Sequence, residues 1–109
     1  MRSVSADTTL QPTDGTLEVD CSGGDITITL QSWTQYALYS EAAIVRTDRS
    51  INKLTIVPFA GEYIEWQTQM GVPPDQYNKS VYFLQCIPGG WRNPRGKSPI
   101  NLYPEVNSL

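Results

Sequence analysis

The sequence predicts an all-β domain, and three features of the chain lead to that prediction. Apolar and polar residues alternate with a period of two in several short runs, most clearly in residues 16–21 and 26–30. Turn-forming Gly, Pro, Asn and Asp separate these runs. No stretch has the periodicity of a helix, apart from a weak helical candidate within residues 33–43. We therefore expect a compact antiparallel β-sandwich or barrel-like domain.

Length and composition predict a small soluble domain. The chain has 109 residues, which fits one domain, and a domain of that size buries only about 60 to 70% of its unfolded surface. Its longest apolar runs, such as residues 42–45, are far shorter than the ~20 residues that cross a bilayer. Residues 1–15 lack the apolar stretch of a secretory signal. We expect a complete product without a membrane partner, and one that gains stability from association.

The charges are unevenly distributed along the chain. The net charge is −3 and the pI is about 4.7, which argues against a nucleic-acid partner because phosphate binding requires clustered Lys and Arg. Residues 1–25 carry five acidic side chains, whereas residues 76–104 carry four basic ones and no acid. These regions are either solvated surfaces or complementary surfaces that meet between subunits.

In the first half of the chain, the alternating runs predict a hairpin and two further strands. Residues 1–14 have no periodicity, so we expect an extended N-terminal arm. Residues 16–21 and 26–30 would pair around Gly23 and Gly24, which supply the positive φ of a tight turn. Strands follow at residues 42–47 and 53–58, joined by a turn and ended by Pro58.

The second half predicts one central strand and a second arm. Residues 63–66 read as extended, and Pro73 and Pro74 place residues 70–78 in a loop. Residues 80–87 are rich in β-formers and partly apolar on both faces, which is typical of a central strand. The Pro-Gly-Gly that follows predicts a reversal. We take residues 15–92 as the β-domain and the proline-rich residues 93–109 as an extended C-terminal arm.

One pattern in the sequence recurs. Residues 24–30 and 52–58 share a turn followed by an alternating strand, about 28 residues apart. Two units do not establish a repeat, because strands in any β-protein look alike.

The two cysteines favour a buried, reduced state. Cys21 and Cys86 both lie at inward positions of predicted strands, and a disulfide-rich secreted domain of this size would carry more. A single disulfide is the alternative. We expect no zinc site, because the chain has no His and two isolated Cys cannot complete a tetrahedral site.

The residue inventory argues against catalysis. Without His, the chain lacks Ser-His and Cys-His nucleophile pairs. Glu62 and Glu65 are the best carboxylate pair, but residues three apart on a strand point to opposite faces. Asp20 and Asp25 flank the Gly-Gly turn, where acids usually bind nearby backbone. We expect no enzyme, no metal and no cofactor.

The aromatic side chains leave two interpretations open. Trp33, Trp66 and Trp91 are accompanied by six Tyr. On one exposed face they would form platforms for sugar rings. The more common arrangement would place them in the core and in contacts between subunits.

Four segments of this chain resemble a known class of protein. They are LEVDCSGGDITITL, IVRTDRSINKLTIVP, AGEYIE and SVYFLQCIPGGWR. Together they resemble small β-rich structural modules of tailed bacteriophages, in tail fibres, head fibres and head decoration proteins. The likeness covers residues 16–92, but Gln31 stands where such modules usually have Pro, and the loop at residues 67–78 is longer. The matching positions are Val19, Asp20, Gly23, Gly24, residues 26–30, Arg46, Thr47, Asp48, Asn52, residues 54–56, Gly61, Ile64, Val81, Gly90 and Trp91.

The resemblance implies an all-β protein, usually a trimer, that binds other virion proteins. We therefore expect a capsid decoration (cement) or head-fibre protein on the outside of the phage head, made in the host cytoplasm, with the major capsid protein and neighbouring copies as partners. The alternatives are a tail-fibre or adaptor component and a module that binds host glycan through its Trp and Tyr. The residues expected to contact capsid or subunits are Arg92, Arg95, Lys97, Ile100, Leu102 and Tyr103, with Trp33, Trp66 and Trp91 as aromatic contacts.

Overall fold

A computed structural model describes residues 2–74 and 80–94 of the chain, and these residues form mainly short strands. The all-β prediction is confirmed. Among the described residues the single helix is a 3₁₀ turn at Trp33–Gln35, inside the segment considered for a helix. The strands are β1 (Arg2–Val4), β2 (Thr8–Leu10), β3 (Thr16–Val19), β4 (Ile26–Leu30), β5 (Glu41–Arg46), β6 (Leu54–Val57), β7 (Tyr63–Ile64), β8 (Met70–Gly71), β9 (Ser80–Ile87) and β10 (Gly90–Arg92).

The chain alternates between two sheets. One sheet has the order β1-β3-β5-β9-β10-β7, and the other has the order β2-β4-β6-β8. The pairs β1–β3, β3–β5, β2–β4 and β4–β6 are all parallel. From β1 to β6, consecutive strands therefore alternate between the two sheets. The result is three stacked coils, the arrangement of a β-solenoid.

The expected hairpin at residues 16–30 is wrong, and so is the expectation of a purely antiparallel fold. β3 pairs with β5, with Leu17 opposite Ile44, while β4 pairs with β6, with Ile28 opposite Ile56. Gly24 has a φ of +151°, but the turn it helps to form leads into the other sheet. Alternation identifies a strand and its buried face, and it carries no information about which strand lies beside it.

The weak repeat in the sequence corresponds to a parallel pair. Ile26 lies opposite Leu54 and Ile28 opposite Ile56, so β4 and β6 are in register with an offset of 28 residues. Corner aspartates join successive coils: the Asp25 carboxylate accepts the Lys53 amide at 2.8 Å. The two similar segments are thus neighbouring turns of the stack.

A single hydrophobic core fills the space between the sheets. Both cysteines are buried in it as free thiols, and burial raises the pKa of Cys21 to about 11. β9 lies between β5 and β10, which confirms its prediction as a central strand. The buried apolar residues are Leu10, Leu17, Val19, Cys21, Ile26, Ile28, Leu30, Ala42, Ile44, Leu54, Ile56, Ile64, Met70, Val72, Tyr82, Leu84, Cys86 and Trp91.

A buried arginine lies at the end of β5. Arg46 is fully buried, and its guanidinium makes two hydrogen bonds of 3.1 Å to the Asp48 carboxylate. It also donates to the Val72 carbonyl at 2.9 Å and to the carbonyls of Ser50 and Asn52. This ion pair closes the corner between β5 and β6.

The same corner is bonded to the coil before it. The Asp48 carboxylate accepts the Cys21 amide at 2.8 Å, and the Asn52 side chain donates to the Cys21 carbonyl at 2.6 Å. Burial alone would raise the pKa of Asp48, but hydrogen bonds from Arg46, Ser50 and the Cys21 amide outweigh it and hold the pKa below its usual value. Positions 46, 48 and 52, which carry the resemblance, therefore serve the fold.

Of the two predicted arms, the N-terminal one forms strands of the sheets, and the C-terminal one lies almost entirely outside the described residues. Within residues 1–14, expected to form an arm, β1 and β2 occupy one edge strand in each sheet, and Leu10 is buried. Arg2 is tied to the Asp14 carboxylate at 2.7 Å. Of residues 93–109, only Asn93 and Pro94 are described. No helix among the described residues is long and apolar enough to span a membrane.

Candidate functional site: an aromatic cleft beside β7 and β10

A cleft of about 550 Å³ opens where β7 pairs with β10. Aromatic side chains from both strands and from the turn after β7 line it, with polar groups beside them. We call this the aromatic cleft. Its lining residues are Tyr63, Glu65, Trp66, Ile87, Pro88, Gly89, Gly90, Trp91, Arg92 and Asn93.

Trp66 is presented to solvent by a strained turn. Ile64 and Gln67 exchange both backbone hydrogen bonds, at 2.9 and 2.8 Å. The two residues between them, Glu65 and Trp66, have φ of +48° and +70°. Such a type I′ turn normally carries Asn-Gly, because other side chains are costly at positive φ. The sequence prediction of extended chain at residues 63–66 therefore holds only for β7, and Trp66 is left 89% exposed.

A glycine allows the two strands to approach each other. A Cβ built on Gly90 would lie 2.5 Å from the Tyr63 carbonyl oxygen. Any larger residue would push β7 away from β10. The preceding reversal uses Gly89, with a φ of +85°, and confirms the turn predicted after residue 87.

Trp91 forms the floor of the cleft. It is buried, and its ring meets the Tyr36 ring edge-on, with centroids 4.7 Å apart at 81°. Its indole nitrogen is buried and has no hydrogen-bond partner among the described residues. A buried N–H without an acceptor costs free energy, so a molecule that reached this nitrogen with an acceptor would gain binding free energy.

Charged and amide groups lie beside the aromatic rings. Glu65 accepts a long hydrogen bond of 3.4 Å from the Asn93 amide. Arg92 is exposed and donates to the Gln85 side chain at 2.7 Å. The cleft thus combines flat apolar surface with an acid, a base and an amide, a composition typical of ligand-binding clefts.

The structure brings together some of the predicted site residues. Trp66, Trp91 and Arg92 all line the cleft, whereas Trp33 is half-buried against the core and does not line it. The other predicted contact residues lie outside the described residues: Arg95, Lys97, Ile100, Leu102 and Tyr103.

Of the lining residues, only Trp66, Trp91 and Arg92 are among the predicted site residues, and the polar and aromatic ones that the sequence did not indicate are Tyr63, Glu65 and Asn93. The sequence places Asn93 in an arm and pairs Glu65 only with Glu62. Glu62 instead binds the Ser32 hydroxyl at 2.7 Å and the Trp33 amide at 3.0 Å. The signal available in the sequence was the Glu-Tyr-Ile-Glu-Trp run itself, in which an exposed Trp follows a two-residue strand.

The acids considered as cation ligands bind backbone. Asp20 accepts the Ser22 amide at 2.9 Å, as expected, while Asp25 binds Lys53 on the next coil. In residues 2–74 and 80–94 no group of three or more Cys, Asp or Glu is placed to hold a metal ion.

We compared the sequence with protein-family models and with curated proteins. No protein-family model matches the sequence, and no curated protein matches it.

Proposed function

We propose that this chain is a structural protein of a bacteriophage particle, a decoration (cement) or head-fibre protein that binds the outside of the assembled head as a homotrimer. A subunit that binds only the assembled shell stabilises that shell by its own binding free energy. The major capsid protein and neighbouring copies are its partners.

The exposure of Trp66 is the observation that carries the proposal. Burying a large aromatic ring contributes strongly to association, and Trp66 is 89% exposed. Trp, Tyr and Arg are also the residue types that dominate binding at protein interfaces. Trp66, Tyr63 and Arg92 meet at one cleft. The geometry therefore favours a binding protein with its contact at β7 and β10.

The resemblance supports the same proposal. Arg46, Asp48 and Asn52 build the corner between coils, and Gly90 allows β7 and β10 to pair. These matching positions have structural roles in this fold, so a virion module with the same motif would share the fold.

Binding to phage heads tests the proposal. Purified protein is mixed with heads that lack it, and co-sedimentation is measured for the wild type and for Trp66→Asn. We expect saturable binding by the wild type, heads that resist heat better, and at least about tenfold weaker binding by the variant. Ile51→Ala, which removes another exposed apolar side chain, is the control. Wild-type protein that leaves the heads bare contradicts the proposal.

Glycan binding is the second candidate, and the exposure of Trp66 beside Glu65, Arg92 and Asn93 favours it. A flat ring flanked by hydrogen-bonding groups suits a sugar. Of the three Trp predicted as platforms, Trp66 is the exposed one. Glycan-array binding that disappears with Trp66→Asn in a folded protein would support this candidate, and a blank array would remove it.

A tail-fibre or adaptor protein is the same fold at another location. Electron microscopy of particles carrying labelled protein distinguishes the two, because the label lies either on the head or on the tail.

A further inference from the structure

We propose that the aromatic cleft binds residues 95–109 of a neighbouring copy, so that the subunits are linked by exchanged C-terminal segments. This inference rests on the proposed function, because it names the self-partner in that assembly. Residues 95–109 are called the C-terminal segment below.

The first argument is that residues 2–74 and 80–94 leave aromatic surface of the cleft exposed. Trp66 is 89% exposed and Tyr63 is 46% exposed, and both line the cleft. Removing such surface from water is favourable. Glu65 and Trp66 both have positive φ in the turn that exposes Trp66, and strain of this kind is characteristic of binding sites.

The second argument is the unused hydrogen-bond donor. The Trp91 indole nitrogen is buried, has no hydrogen-bond partner in residues 2–74 and 80–94, and belongs to a residue that lines the cleft. A peptide carbonyl supplies the acceptor it needs. Extended proline-containing segments bind aromatic-lined grooves, because their backbone is already ordered and their carbonyls are free.

The third argument is the composition of the C-terminal segment. Pro99 and Pro104 favour an extended backbone, and Ile100, Leu102 and Tyr103 between them supply apolar contacts. Arg95 and Lys97 precede them, and the cleft carries the Glu65 carboxylate. The cleft also carries Arg92, so the charge complementarity is confined to Glu65, while the apolar residues of the segment match the aromatic rings.

The fourth argument concerns which copy provides the segment. Asn93 lines the cleft and its amide is held by Glu65, so the chain leaves its own cleft at the rim. To fill that same cleft the segment would have to reverse at once. Extended from Pro94, it reaches up to about 26 Å by Leu102, a length that carries it away from its own subunit. A closed ring of such exchanges fills every cleft.

Complementation between two full-length variants tests the exchange. Trp66→Asn removes the aromatic platform and suits the positive φ of the turn. The tail variant carries Ile100→Ser, Leu102→Ser and Tyr103→Ser. By sedimentation velocity we expect the wild type to associate, and each variant alone to associate at least about tenfold more weakly. An equimolar mixture should regain part of the association, because each mixed pair joins the intact segment of one variant to the intact cleft of the other.

Two outcomes overturn the exchange. If the wild type is monomeric, or if the mixture associates no better than the separate variants, the segment does not link copies. The latter result is also expected when the segment folds back on its own cleft. Ile51→Ala should associate like the wild type, and circular dichroism confirms that each variant is folded.

A charge reversal provides a second test that preserves the aromatic rings. Glu65→Lys should weaken association at least about threefold, and adding Arg95→Glu and Lys97→Glu to the same chain should restore it. If Glu65→Lys associates like the wild type and the added charge reversals change nothing, then Glu65 does not pair with Arg95 and Lys97 of the neighbouring copy. The assays also separate the two proposals: monomers that still coat phage heads overturn the exchange alone, whereas oligomers that leave heads bare overturn the proposed function alone.

Discussion

At the scale of single residues, Arg46 shows how a buried charge is stabilised in this fold. Its guanidinium is satisfied by the Asp48 carboxylate and by three backbone carbonyls. The sequence placed Arg46 in a strand and included it in the family-like motif, but it did not predict burial. In the structure, Arg46 continues the buried alternation of Ala42 and Ile44 along β5, whereas arginine is normally exposed. The partners that satisfy its charge come from the turn after β5 and from Val72.

Replacing Arg46 should be costly. Arg46→Met leaves the buried Asp48 without its counter-charge, and breaking a buried ion pair from one side costs about 3 to 5 kcal/mol. Urea unfolding at pH 7 measures the change. Lys53→Met, at an exposed position on the same corner, is the control and should stay within about 0.5 kcal/mol of the wild type. An equally small change for Arg46→Met would contradict a stabilising role of the pair.

Acid should destabilise the protein through its paired aspartates. Burial alone would raise the pKa of Asp48 and Asp14, but hydrogen bonds from Arg46 and Arg2 hold both below the usual value. An unfolded Asp has a pKa near 3.9. The stabilisation is therefore complete at neutral pH and is lost as the pH falls below about 4.

Unfolding free energies at pH 7 and pH 3 test this dependence. Asp48→Asn should be less stable at pH 7, and its stability should fall less between the two pH values. Equal slopes for the variant and the wild type would refute the assignment to Asp48.

At the scale of elements, the prediction found most strands and missed how they pair. β3, β4, β6 and β9 lie within or close to their predicted ranges, because alternation and flanking turns are local signals. The parallel offset of 28 residues between β4 and β6 depends on side chains at distant corners, such as Asp25 with Lys53. The aromatic cleft was missed for the same reason, since it is assembled by the pairing of β7 with β10.

Gly90 should be required for that pairing. Gly90→Ala places a methyl group against the Tyr63 carbonyl, and we expect a loss of about 1 to 3 kcal/mol in unfolding free energy. Gly23→Ala is the matched control, because a Cβ there meets no atom within 4 Å. Thermal melts of both variants measure the difference, and similar melting temperatures would show that β7 can shift without cost.

The turn after β7 should lower the stability of a single subunit and strengthen the association between subunits. Trp66 is exposed and has a positive φ, a conformation that costs a non-glycine residue about 1 kcal/mol and suits Asn better. Trp66→Asn should therefore raise the unfolding free energy of a single subunit by up to about 0.5 kcal/mol while weakening association. Chemical denaturation at high dilution measures the first effect. A loss above about 1 kcal/mol would mean that the ring packs within its own subunit.

At the scale of the whole molecule, one closed core protects both thiols. Cys21 and Cys86 are buried in strands or corners of the same cluster, and burial raises the pKa of each. Thiolate is the reactive form, so we expect labelling by a disulfide reagent at pH 8 to be at least about a hundredfold slower in the folded protein than in urea. Rapid labelling of the native protein would show that the coils separate easily.

The strand order also determines when the larger sheet can be completed during synthesis. β9 lies between β5 and β10 in that sheet, although it follows β5 by more than thirty residues in the chain. While the chain is being made, the three coils can stack as they emerge, but the edge of β5 stays unpaired until residue 87 has left the ribosome. An unpaired edge can add a strand from another chain. Nascent subunits are therefore most exposed to mispairing in the interval between the completion of β5 and the arrival of β9.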